Sequence, residues 1–114
     1  MRYEQLQEIY AGTGYYWGTE PNGFAGRALG FLGGREDLRA VDLGAGEGRD
    51  AVFFAERGLD TLAVDISPNG LEKAARLAHE KGVEIETRQG DVNSLELEGG
   101  LDLVYSIGTV QYWV

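Results

Sequence analysis

Cysteine is absent from this 114-residue chain. That excludes a disulfide framework, a thiolate nucleophile and a zinc-thiolate centre, and it suits a reducing cytosol. Histidine is reduced to His79 alone, so imidazole and thiolate together supply no transition-metal ligand set. Composition leaves open only an all-oxygen Mg or Ca site. His79 itself reads as a solvated side chain on the polar side of a helix. Basic residues are scarce as well: ten Lys and Arg stand against nineteen Asp and Glu, for a net charge of −9. Such a surface repels a phosphate backbone, so nucleic acid is not an expected partner. No apolar run approaches the ~18 residues that span a bilayer, and residues 1–10 are too polar for a secretory signal. The expectation is a cytoplasmic protein with no membrane partner.

Proline occurs only twice, whereas glycine occupies eighteen positions, more than twice its average share of about 7%. These glycines keep no fixed period, which excludes collagen-like and low-complexity readings and makes them punctuation in a folded chain. The length bounds the answer to one domain, taken here as residues 1–114. Residues 1–20 form an aromatic arm bearing Tyr3, Tyr10, Tyr15, Tyr16 and Trp17, read as a short helix followed by irregular chain.

After the arm the signals alternate. Pro21 is suited to the first turn of a helix, and Phe24, Ala28, Phe31 and Leu32 recur near helical spacing until Gly33 and Gly34. Arg39 to Leu43 is a short apolar strand. A glycine loop over 44–48 leads into a helix over 49–57 that Gly58 closes. Thr61 to Ile66 is a second buried strand, followed by Ser67 as helix cap and Pro68 at the first helical position. In that helix Leu71, Ala74, Ala75 and Ala78 define the packed stripe. Glu72, Lys73, Arg76 and Glu80 lie on other faces, and Gly82 ends it. Val83, Ile85 and Thr87 alternate with Glu84, Glu86 and Arg88, as in a sheet-edge strand with one wet face. Leu101 to Ile107 reads as a further buried strand. Strands alternating with helices predict a doubly wound α/β domain with a parallel sheet. In such sheets ligands sit beyond the carboxyl ends of the strands.

Chemistry is therefore sought in the loops after the strands. Asp42-Leu43-Gly44-Ala45-Gly46-Glu47-Gly48 sets three glycines at alternate positions between a strand and a helix. Backbone without side chains admits close approach of a ligand, and the helix start offers N–H groups to an anion. A tight turn with close packing is the plainer reading of the same glycines. A dinucleotide loop needs G-x-G-x-x-G, and Arg49 stands where its third glycine belongs, which disfavours a nicotinamide oxidoreductase. Asp65 closes the second strand, while Asp91 and Val92 follow the third in a sequence that also suits an ordinary turn.

Together these positions resemble class I S-adenosylmethionine-dependent methyltransferases with a Rossmann-like sheet. The resemblance implies S-adenosyl-L-methionine as cofactor, carried by Asp42, Gly44, Ala45, Gly46, Gly48, Asp65, Ile66, Asp91, Val92, Ser106 and Ile107. Asp65 would accept the ribose hydroxyls and Ile66 would lie against adenine. Asp91 and Val92 would meet the adenine amine and ring, and Ser106 and Ile107 would offer carbonyls to the methionyl ammonium. Asp42 would lie beneath the methionyl portion. The run from Tyr15 to Asn22 is similar to the lead-in of small-molecule enzymes of the tellurite-resistance group. It makes Tyr16 and Trp17 candidates for the acceptor pocket, or else anchors for the arm. No catalytic residue is assigned, because methyl transfer needs alignment more than proton transfer. The family's strand order is 3-2-1-4-5-7-6, and the chain reads as its amino-terminal part, truncated after the fourth strand. That strand is then an open edge available for self-association. A noncatalytic cofactor-binding fragment is the competing expectation.

Overall fold

The computed structural model describes residues 3–12, 14–15, 18–33, 37–91 and 100–106. In chain order the elements are α1 (Tyr3–Ala11), α2 (Gly23–Gly30), β1 (Arg39–Leu43), α3 (Arg49–Glu56), β2 (Asp60–Asp65), α4 (Pro68–Glu80), β3 (Glu86–Gln89) and β4 (Leu103–Ser106). The four strands form one sheet in the order β3-β2-β1-β4, and every pairing is parallel. Winding runs outward from β1 through β2 to β3 and then returns to the other side of β1. The reversal between β1 and β4 is the switch point at which such sheets hold ligands.

The helices begin and end for local reasons. Ser67 accepts a hydrogen bond from the Gly70 N–H at 3.1 Å, and Pro68 opens α4 without a donor to waste. Pro21 does not open α2. Asn22 caps that helix, its side-chain oxygen 2.9 Å from the Phe24 nitrogen, so Pro21 falls outside it. The amide carbonyl satisfies an orphan N–H, which a proline at the first turn would merely have removed.

Packing places α2, α3 and α4 on the face shared by Ala40, Ala63 and Tyr105. Phe54 meets Tyr105 edge-on at 5.0 Å between ring centroids, enclosed by Ala25, Leu32, Leu38, Ala40 and Leu59. Further along, Ala51, Ala63 and Leu71 form a second cluster, and Val52, Leu77 and Ala78 a third against which Tyr15, Val83 and Ile85 pack. Helix α1 docks on α4.

Three further expectations need correction. The face of α4 that is buried comprises Leu71, Lys73, Ala74, Leu77 and Ala78, whereas Ala75 is exposed. Strand pairing at the β3 edge starts at Glu86, opposite Leu62, and not at Val83. Val83 and Ile85 are half-buried against the helices before any ladder begins, and Thr87 is exposed. Finally, β4 is not a buried strand. Only Tyr105 is buried on it, and Val104 is 56% exposed at the edge of the sheet. Its partner on one side is β1, and among the described residues no strand pairs with the other.

Candidate functional site

The loop after β1 is bent by backbone that only glycine adopts freely. Gly46 and Gly48 have φ of 57° and 91°. At Gly48 a Cβ would stand 2.4 Å from the Ala74 Cβ, so the lack of a side chain also sets the contact between α3 and α4. The N–H groups of Gly44 and Ala45 both donate to the Val64 carbonyl, at 2.8 and 2.9 Å, which ties the loop to β2. Gly48 caps α3 without a side chain. Asp42, on β1, does that work instead by accepting the Ala51 N–H in the first turn of α3.

Asp65 stands at the exit of β2, 6% exposed. It accepts N–H bonds from Ser67, Gly46 and Ile66, and burial nevertheless raises its carboxyl to about 6. Burial also pushes Asp42 well above the ordinary carboxylate range, helped by Asp50 and Asp65 nearby and opposed by the Ala51 N–H and the Arg49 guanidinium. Asp50 is the third acid of this group. It receives the Asn22 N–H at 2.6 Å and the Tyr105 hydroxyl at 3.1 Å, so one carboxylate joins α3 to the start of α2 and to β4. Desolvation and that carboxylate push the Tyr105 hydroxyl upward. A concentration of buried carboxyl groups beside bent backbone suits a ligand that carries positive charge.

Other expected positions converge on the same end of the sheet. Ile66 is half-buried beyond Asp65. The Gly90 N–H donates to the Asp65 carbonyl at 3.0 Å, and Gln89 donates to the Ile66 carbonyl at 3.2 Å. These bonds bring Asp91 alongside the β2 exit. Ser106 is in register with Leu43, at the mouth of the glycine loop. Val92, Ile107, Tyr16 and Trp17 lie outside the described residues. His79 is exposed, and among the described residues no cluster of acids and histidine is arranged to hold a metal ion. No described helix is long and apolar enough to cross a membrane.

Sequence reasoning missed four participants. Glu47 and Lys73 form a buried ion pair at 2.8 Å. Asp50 joins elements far apart in the chain, and Tyr10, 4% exposed, lies over Gly46, where a Cβ would meet its hydroxyl at 2.8 Å. The available signal for Lys73 was its position four residues before Leu77, on the packed face of α4, which an apolar-only reading of the helix passes over.

A family model described as a methyltransferase domain matches residues 40–114. The tRNA 5-carboxymethoxyuridine methyltransferase of Escherichia coli strain K12 is 37% identical over 76 residues, covering 62% of this chain and 29% of that protein. The solved structure of YcgJ from Bacillus subtilis aligns with a TM-score of 0.65 and 30% identity, over 72% of this chain and 36% of that one. A TehB-like SAM-dependent methyltransferase from Corynebacterium glutamicum aligns with a TM-score of 0.64, over 76% of this chain and 45% of that one. Its 24% identity makes it evidence of a shared fold. The chain spans less than a third of the length of the curated relatives it matches.

Proposed function

This chain belongs to the methyltransferase domain family, and from that premise we propose that the strand-exit cleft beside Gly46 binds S-adenosyl-L-methionine for methyl transfer to a small-molecule acceptor. One observation carries the reading: the Asp65 carboxyl, buried at the end of β2, is held by the Gly46 N–H directly beside the glycine loop. A carboxylate so placed is an acceptor for paired ribose hydroxyls. The residues present suit the cofactor's charge, because burial and then the neighbouring Asp50 and Asp65 oppose ionisation of Asp42, and a sulfonium with an ammonium would relieve that opposition.

The roles proposed for this chain's residues are those the family resemblance implies. Asp65 binds ribose and Ile66 lies along adenine. Asp91 and Val92 meet the adenine edge. Backbone at Gly44, Ala45, Gly46 and Gly48 lines the methionyl portion, and the carbonyls of Ser106 and Ile107 accept from its ammonium above Asp42. When bound, the cofactor supplies an activated methyl group, and the protein's task is to hold donor and acceptor in line away from water. None of these carboxylates is required as a proton-transfer catalyst. Tyr16 and Trp17 are proposed for the acceptor pocket, and the net charge of −9 favours a small acceptor over a polyanionic one. A cysteine-free, acidic chain fits a cytoplasmic setting.

Calorimetric titration with S-adenosylhomocysteine tests the reading. The expected dissociation constant lies between about a micromolar and a millimolar, weakened at least ~10-fold by Asp65→Ala. Absence of heat at millimolar ligand, or equal affinity for NADH, overturns it.

A further inference from the structure

The glycine loop carries one long side chain, Glu47, and that side chain turns inward. It stands between two glycines of positive φ, which lets the backbone face the cleft while the carboxylate enters the protein. There its Oε2 lies 2.8 Å from the Lys73 Nζ, the two side chains being 2% and 4% exposed. Burial of two charges is costly unless the geometry is good and the remaining donors are matched. The Lys73 ammonium meets that condition by donating also to the Gly14 carbonyl, and it lies 5.8 Å from the centroid of the Tyr15 ring. In return the Tyr15 hydroxyl donates to the Lys73 carbonyl at 3.4 Å, and the Tyr15 ring packs on the Val52, Leu77 and Ala78 cluster.

One ammonium therefore joins three segments distant in sequence: the arm at 14–15, the glycine loop at 47 and α4 at 73. A second tie runs beside it. Gln7 on α1 accepts from the Ser67 hydroxyl and from the Asn69 N–H at 3.3 Å, and the Asn69 side chain donates to the Gln7 carbonyl at 3.1 Å. That tie fastens the arm to the start of α4 but does not reach the loop. Tyr10 of α1 also lies over Gly46, and the Lys73 ammonium adds a charged link that holds the Gly14 carbonyl and the Glu47 carboxylate at once. An apolar pair would fill the same space without holding either the Gly14 carbonyl or the inward turn of Glu47.

We propose that Lys73 is a positioning residue whose ammonium couples docking of the amino-terminal arm to the shape of the glycine loop. Affinity for an adenosyl ligand then depends on the arm through Lys73. That last clause rests on the cofactor reading above, whereas the coupling itself does not.

The test compares the 114-residue chain with Lys73→Met and with the double variant Glu47→Gln/Lys73→Met, which leaves no buried charge unpaired. Amide hydrogen exchange is followed without ligand, and S-adenosylhomocysteine is titrated calorimetrically. In both variants exchange is expected to accelerate together at 10–15 and at 44–48, while β2 and the second half of α4 keep their protection. Affinity is expected to fall at least ~10-fold, within the range of coupled sites. Faster exchange confined to the arm, with loop and affinity unchanged, overturns the proposal. Uniform acceleration through β2 and α4 in the double variant also overturns it, since that would mark general destabilisation. Should the parent chain bind no S-adenosylhomocysteine, the cofactor reading falls alone, and the paired exchange at the two segments still decides the coupling.

Discussion

The two flanks of β1 are built to different standards. On the β2 side, charged and polar groups go inward and are matched there: Glu47 with Lys73, Asp65 with three N–H groups, Asp42 with the first turn of α3. On the β4 side, large apolar groups face outward. Phe31 is 91% exposed, Phe24 55% and Val104 56%, around an open groove between α2 and β4 of about 700 Å³. Buried polar groups without partners are costly, so the closed flank has one arrangement open to it. Exposed apolar groups cost far less in place and specify little. Among the described residues the buried charges beside the glycine loop are thus matched, while Phe24, Phe31 and Val104 on the β4 flank are exposed.

The hardest blow to the closed flank is Gly48→Ala. A methyl group at φ 91° would overlap the Ala74 Cβ, so α3 and α4 must part. The expected loss is about 3 kcal/mol or more, read from the guanidinium unfolding midpoint. Asp65→Asn should act in the opposite direction on stability. The folded carboxyl titrates near 6 against an ordinary value of 3.8, so between those values the folded state holds the proton more firmly. Stability therefore falls as pH rises through that window, and the penalty is complete above it. Removing the charge should stabilise the chain by up to about 3 kcal/mol at pH 7, at about 1.4 kcal/mol per unit, and by nothing near pH 4. The same substitution should weaken S-adenosylhomocysteine, and parental affinity should decline as pH drops below about 6. A variant whose stability matched that of the parent at both pH 4 and pH 7 would show that Asp65 is not strained by burial.

Tyr105→Phe probes the junction of the two flanks, because its hydroxyl reaches Asp50 from β4. A loss of about 1 to 2 kcal/mol is expected in urea unfolding, as for a hydrogen bond to a charged group. Smallest is Val104→Lys on the open flank, expected to change monomer stability by no more than about 0.5 kcal/mol. If the β4 edge pairs with a second copy, sedimentation of the parent will depend on concentration and that of the variant will not.

How much of this was legible depends on distance along the chain. The α/β class, the glycine loop and the Ser67–Pro68 start of α4 rest on signals a few residues long, and the structure contains each of them. The pairing of Glu47 with Lys73 spans 26 positions and that of Asp50 with Tyr105 spans 55, so no local pattern announces either. A period of two carried the third strand too far toward the amino terminus. Val83 and Ile85 alternate because they pack against helices, and alternation does not say whether the backbone is paired. The resemblance makes Asp42 a ligand-facing acid. Its bond from Ala51 is a capping role that becomes visible only when β1 and α3 are seen together.

That bond gives Asp42 a divided allegiance. The oxygens that steady the opening turn of α3 are the same ones a cation entering from above would attract, so loading the cleft and fastening the helix draw on one side chain. A shift in its carboxyl stretching band on ligand addition would report both events at once, making this residue a built-in gauge of how firmly the helix start is held.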